Sequence, residues 1–176
     1  EVFYLSTMHG DEPIGTVLCL SLIREFVEKY GIDPELTRLV DEIEIWIMPL
    51  MNPDGYAGIY RTNAEGFDLN RSFPGSPNGS LASRIAHTLM EELVKQCDYG
   101  IDLHTAAVQR TNFPNVRADL TNPKARRLAT AFGCMLTVDG KGPLGSFRRE
   151  ATRCGCPTII LEAGEPWKVE STVLQI

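Results

Sequence analysis

Short apolar runs alternate with longer amphipathic stretches along this chain, and the alternation predicts strand–helix–strand order. Val2-Phe3-Tyr4-Leu5-Ser6 has the length and continuity of a buried strand. Across residues 13–30, Ile14, Val17, Leu18, Leu22, Ile23 and Phe26 recur at helical spacing, and Gly31 ends the helix. Residues 33–39 read as a short helical turn. Residues 43–49 alternate and then run apolar, which predicts a second strand, and they lead into the turn Asn52-Pro53-Asp54-Gly55. Residues 53–80 are rich in Gly, Pro, Asn and Asp and read as one long irregular segment, a length more often functional than idle in a compact domain.

The second half repeats the order. Leu81, Ile85, Leu89 and Leu93 share one face of a helix running from about residue 80 to Cys97. Residues 99–103 form a strand that ends in Asp102-Leu103-His104-Thr105, residues 114–122 read as loop, and Asn122 caps a helix over 123–132. A short strand at 135–138, a helix over 145–154 and a buried strand over 157–162 complete the series. Such alternation predicts an α/β domain with a largely parallel sheet. His9, Asn52, His104 and Glu162 all fall at or just past the carboxyl ends of predicted strands, the edge where open α/β sheets bind ligands.

Composition narrows the field. The 176 residues make one domain's worth of chain, and 43% hydrophobic with 23% charged residues is the balance of a globular protein. No apolar run approaches the roughly 20 residues that span a bilayer. A net charge of −6 argues against nucleic acid and anionic membrane as partners. The five cysteines, Cys19, Cys97, Cys134, Cys154 and Cys156, are an odd number without a regular framework, which points to reduced thiols and a cytoplasmic setting. Cys154 and Cys156 lack the second pair of soft ligands that a structural zinc site needs. The oligomeric state is not legible.

The candidate chemistry begins at Ser6-Thr7-Met8-His9-Gly10-Asp11-Glu12-Pro13. A His and a carboxylate three residues apart on the turn leaving a strand can both point at one cation, and both bind zinc well at about 2.0–2.2 Å. Gly10 is read as relieving crowding where the backbone passes the metal. The pair alone is weak, since a loop His beside a helix-capping acid has the same spacing. His104 is the natural third ligand, because two His and one Glu with an open fourth position form a catalytic zinc set. Asp102 stands ready to orient an imidazole. His87, inside a helix with Glu91 one turn on, reads as a surface pair. Glu162 ends an apolar strand, where a carboxylate is costly unless used, and it suits a general base; Glu165 is its competitor. Arg61 and Asp68-Leu69-Asn70-Arg71 offer forked donors for an anionic group.

Taken in order, His9-x-x-Glu12, Asn52-Pro53-Asp54-Gly55-Tyr56, Arg61, Asp68-Leu69-Asn70-Arg71-Ser72-Phe73-Pro74-Gly75, His104 and Leu161-Glu162-Ala163-Gly164 resemble the zinc carboxypeptidases and, among their relatives, the succinylglutamate desuccinylase/aspartoacylase family. The resemblance implies a three-layer sandwich with a mixed, mostly parallel sheet. It implies one Zn2+ per chain on His9, Glu12 and His104, with Glu162 as base and Arg61 at the oxyanion. Asn70 and Arg71 would grip the substrate carboxylate, with Arg148 a further contact; Arg149 and Arg153 compete for that match. The implied activity is deacylation of a small anionic N-acyl amino acid. The alternatives are a carboxypeptidase acting on a peptide's terminal residue, and a non-catalytic binding domain on the same scaffold. By the same resemblance, residues 1–176 are a single catalytic domain, expected to be a fragment lacking an amino-terminal strand region and a carboxyl-terminal β-rich portion.

Overall fold

The structure, a computed structural model, describes residues 1–170; the closing run Val173-Leu174-Gln175-Ile176 lies outside the described residues. Six strands form one sheet in the order β2-β1-β3-β6-β4-β5, where β1 is Val2–Ser6, β2 Ile45–Met48, β3 Tyr99–His104, β4 Asn112–Ala118, β5 Thr137–Asp139 and β6 Thr158–Gly164. The four strands β2, β1, β3 and β6 run parallel, β4 pairs antiparallel with β6, and β5 runs parallel to β4. The expected mixed, mostly parallel three-layer sandwich is therefore the observed architecture.

Strand pleat divides the core in two. Phe3 and Leu5 of β1 face one side, with Leu89 and Met90 of α4 (Leu81–Glu92) and with Phe147 and Ala151 of α6 (Phe147–Arg153). Ile101 and Leu103 of β3 and Ile159 and Leu161 of β6 face the other, with Cys19 of α1 (Ile14–Lys29) and Ala129 of α5 (Pro123–Phe132). On the first side the Phe147 ring lies 5.6 Å from Phe3 and 4.9 Å from Phe73, centroid to centroid. Gly100 leaves room there for the Phe3 ring. Because Asp102 and His104 alternate with Ile101 and Leu103, they share the face of Ile160 and Glu162.

Several predicted boundaries move. The turn at 33–39 is a nine-residue helix, α2 (Pro34–Glu42), because Asp33 caps it by accepting from Glu35 N and Leu36 N. The irregular stretch contains α3 (Pro53–Gly58) and a 3-10 turn, Leu69–Arg71. Helix α4 ends at Glu92 and gives way to a 3-10 turn, Val94–Gln96. The predicted loop at 114–122 is mostly strand β4. Pro114 and the polar residues around it hide that strand in the sequence.

The backbone around the amino-terminal turn is tightly tied. Met51 N donates to Ser6 O (3.2 Å) and Asn52 N to Thr7 O (3.1 Å), carrying the β1–β2 contact past the strand ends. Asn52 caps α3, its Oδ1 accepting from Gly55 N at 3.0 Å, while its Nδ2 donates to Met8 O (3.2 Å) and Thr62 O (3.0 Å). Asn52 thus fixes both the turn bearing His9 and the loop bearing Arg61. Gly10 is crowded by protein: a Cβ there would overlap the Gly55 and Tyr56 backbone, which corrects the expectation that it makes room for a metal. Gly10→Ala is accordingly expected to destabilise the fold by about 3 kcal/mol, since neither backbone segment has space to withdraw. Urea unfolding checks this, and an unchanged midpoint would show that the two segments separate without cost.

Candidate functional site

Past the end of β1 the chain turns through Thr7, a β-branched residue held at φ 53°, in the left-handed region such residues avoid. Its hydroxyl lies 2.7 Å from Thr16 Oγ1, which secures the turn to α1. The turn presents His9 and Glu12 at the carboxyl edge of the sheet, next to the end of β3, where His104 stands. His9 Nδ1 lies 2.8 Å from Glu12 Oε1, and His104 Nδ1 lies 3.0 Å from Glu12 Oε2. Thr105 N donates to the same Oε2 at 3.1 Å. All three side chains are buried, and one ligand atom from each falls within 4.8 Å of the others.

Each imidazole also has a carboxylate behind it. Asp102 Oδ2 is 3.0 Å from His104 Nε2, and Asp68 Oδ1 is 3.4 Å from His9 Nε2. Both rings therefore turn Nδ1 inward and Nε2 toward an acid. Asp102 hydrogen-bonds His104, the kind of outer partner that fixes ring orientation at metal sites, while His9 Nε2 faces Asp68 without a hydrogen bond. Burial opposes ionisation of Glu12, but the flanking His104 and His9 outweigh it and hold the carboxyl well below its ordinary range. For Asp68 burial again opposes the charge, and His9 and Arg61 again prevail. For His104 burial disfavours the cation, yet Asp102 and Glu12 raise its pKa well above that of a free imidazole. The cluster is thus a pocket of negative charge that calls for a cation, and its N/O donor set fits zinc.

The surrounding cavity, about 290 Å³, collects the remaining residues singled out in the sequence: Arg61, Asn70, Arg71, Arg148 and Glu162. Asp68 Oδ2 accepts from Arg61 Nε and pairs with Nη2, both at 3.0 Å, which leaves Nη1 facing the cluster, 3.3 Å from His9 Nδ1. Asn70 Oδ1 accepts from Phe147 N at 2.9 Å, so the 3-10 turn is fastened to the start of α6, the helix that carries Arg148. Arg148 is 7% exposed; its Nη1 donates to Gly140 O at 2.7 Å, and its Nε has no partner. Of its competitors, Arg149 donates to Gly142 O and Arg153 pairs with Glu150, and neither lines the cavity.

Glu162 sits opposite His104 in the β3–β6 register. Its side chain is 13% exposed, and its pKa is raised, chiefly by burial, with His104 and Arg117 partly opposing. Glu165 is not in the cavity and lies 3.9 Å from Lys168. Sequence reading missed four participants. Asp68 stands in the sequence only as part of a motif, and Arg110, Asn112 and Arg117, which line the cavity, lie in or beside the segment that reads as loop. The alternation of Asn115, Val116, Arg117 and Ala118 was the available signal. All five cysteines are free, and no described helix is long and apolar enough to cross a membrane.

A mostly parallel sheet thus carries at its carboxyl edge a His–Glu–His cluster able to hold a metal ion. The chain belongs to the zinc carboxypeptidase family, whose profile matches residues 1–107. Among curated proteins it is similar to carboxypeptidase M of Mus musculus, 40% identical over 98 residues, covering 51% of this chain and 22% of that protein. Carboxypeptidase D of Homo sapiens is 45% identical over 83 residues, 42% of this chain and 6% of that protein. The chain thus spans less than a quarter of either relative. Among solved structures, a succinylglutamate desuccinylase/aspartoacylase from Rhodobacter sphaeroides superposes with a TM-score of 0.78 at 26% identity, covering 99% of this chain and 51% of that one. A metallo-carboxypeptidase from Burkholderia cenocepacia shares the fold, with a TM-score of 0.72 at 21% identity over 92% of this chain and 47% of that one.

Proposed function

We propose that this chain is the catalytic core of a zinc-dependent amidohydrolase that removes the acyl group from a small anionic N-acyl amino acid. The observation that carries the reading is the convergence of His9, Glu12 and His104 on one point, beside Glu162 on the adjacent strand, in a cavity walled by arginines. His9 and His104 through Nδ1, and Glu12 through its carboxylate, would hold one Zn2+ per chain, with Asp68 and Asp102 behind the rings. When bound, zinc supplies a Lewis acid that acidifies water and polarises a carbonyl.

The remaining work falls to the chain. Glu162 takes the proton of the attacking water and delivers it to the leaving nitrogen, a role that a largely buried carboxyl of raised pKa favours. Arg61, braced by Asp68, directs Nη1 at the oxygen that becomes negative as the carbonyl is attacked. Asn70, Arg71 and Arg148 bind the carboxylate of the amino acid and set its orientation. Trimming of a peptide's terminal residue is the second reading, favoured by the 40–45% identity to carboxypeptidases M and D. Turnover of an N-acyl amino acid panel beside a panel of short peptides separates the two.

Elemental analysis of the purified protein should find one equivalent of zinc, falling to near none in His104→Ala; unchanged metal content would move the site elsewhere. Asp102→Ala should weaken zinc binding by about 10- to 100-fold, as loss of an outer partner of a ligand usually does, and competition with a chromophoric chelator reads it. Arg61→Ala should lower kcat by the equivalent of about 3–4 kcal/mol of barrier, the usual cost of one oxyanion donor. Equal turnover in that variant would refute its role.

A further inference from the structure

Glu162 does not stand alone on β6. Asn112 Nδ2 donates to its Oε2 at 2.7 Å, and Arg117 Nη1 lies 3.4 Å from its Oε1. Both partners come from β4, the antiparallel neighbour, and they are five residues apart. On a regular strand side chains alternate faces, so residues five apart project to opposite sides of the sheet and cannot reach one carboxylate. The pairing explains how they do. Asn112 stands opposite Gly164 and Asn115 opposite Glu162, so three steps along β4 match two along β6. One extra residue is inserted at Phe113-Pro114, a β-bulge in a place where Pro is tolerated because it withdraws a donor from the ladder. Beyond the bulge Arg117 falls opposite Ile160, on the cavity face, and ahead of it Asn112 falls opposite Gly164 on that same face.

Asn115 completes the arrangement. Its Nδ2 donates to Phe113 O (2.8 Å), inside the bulge, and to Glu162 O (3.4 Å), while its Oδ1 accepts from Arg117 Nε at 3.4 Å. The bulge, the base-bearing strand and the arginine are thereby joined. We infer that Asn112 and Arg117 are positioning residues, delivered by the β4 bulge to opposite oxygens of Glu162, and that they hold its carboxylate in the orientation needed for proton transfer. The inference rests on the reading of Glu162 as base. The short Asn112 bond pins Oε2. The longer contact leaves Oε1, which faces the partly exposed Arg117, as the oxygen that exchanges protons.

One readout needs neither metal nor turnover. In 15N-labelled wild-type chain the Asn112 side-chain amide hydrogens should be protected from solvent exchange, and Glu162→Ala should abolish that protection. In the zinc-loaded protein, with the substrate turned over fastest in the panels above, Asn112→Ala and Arg117→Gln should each lower kcat by about 10- to 100-fold, the scale of a misplaced reacting group. KM, zinc content and thermal midpoint should hold, and Arg117→Lys should restore part of the loss. Added to Glu162→Gln, Asn112→Ala should cost nothing further, whereas a merely structural role would cost activity in both backgrounds. Full kcat in both single variants, with Glu162→Gln inactive, overturns the clamp and leaves the base in place. Wild-type activity in Glu162→Gln overturns the base reading, and the clamp with it. An Asn112 amide that exchanges freely in the wild type removes the clamp regardless of activity.

Discussion

Glu12 is the group on which the site turns. Its carboxylate is buried and divided between two imidazoles, one oxygen facing each, with a backbone amide from Thr105 on the second. Burying a carboxylate is expensive unless its charge is met, and here it is met by rings that themselves lean on Asp68 and Asp102. This chain of charge reaches across the end of β1, the 3-10 turn and β3, so these separate segments must close on one another for any member to be satisfied. The strained Thr7, the crowded Gly10 and the triple use of Asn52 serve that closure. Each gives up local comfort to set the turn at a fixed height above the sheet edge, as strained residues at functional sites commonly do.

Most of the architecture was legible because periodicity survives where a strand or helix has one apolar side. The parallel strands, buried on both faces, announce themselves as continuous apolar runs. The boundaries of α1 and α5 follow from Gly31 and from the Asn122-Pro123 cap. Strand β4 escaped for a physical reason. A bulge breaks the two-residue period, Pro114 interrupts the ladder, and residues that face a polar cavity are themselves polar. The features that make β4 useful to the site are therefore those that disguise it. Asn52 falls just past the end of β2, as its place in the sequence predicts, but its hydrogen bonds, which hold two loops, are not legible there.

The two kinds of likeness bear on different parts of the molecule. Residues 1–107, matched by the zinc carboxypeptidase profile, hold His9, Glu12, Arg61, Asn70, Arg71 and His104. Residues 108–170 contribute Arg110, Asn112, Arg117, Arg148 and Glu162 to the cavity wall, with Asn112 and Arg117 in reach of the Glu162 carboxylate. On the proposed reading the hydrolytic chemistry draws on both sets, because the metal-holding groups lie in the first and the base Glu162 in the second.

The distribution of charge supports an anionic substrate on either reading. The chain carries −6 overall, yet five arginines and two carboxylates line the cavity. Guanidinium groups gathered in a concave wall offer local positive charge on a chain whose net charge would otherwise repel anions. Arg148 illustrates the cost: burial, and then the neighbouring Arg117, both disfavour its charged form, and its Nε is left without a partner. A buried cation with an unused donor is unfavourable in isolation and becomes favourable when a carboxylate arrives in the cavity. On the proposed reading the acids behind the imidazoles have the opposite role, favouring a cation at the sheet edge while the arginines would receive the anion. Separating the two charges across one cavity would let the same site take the proposed metal and a negatively charged substrate without either displacing the other.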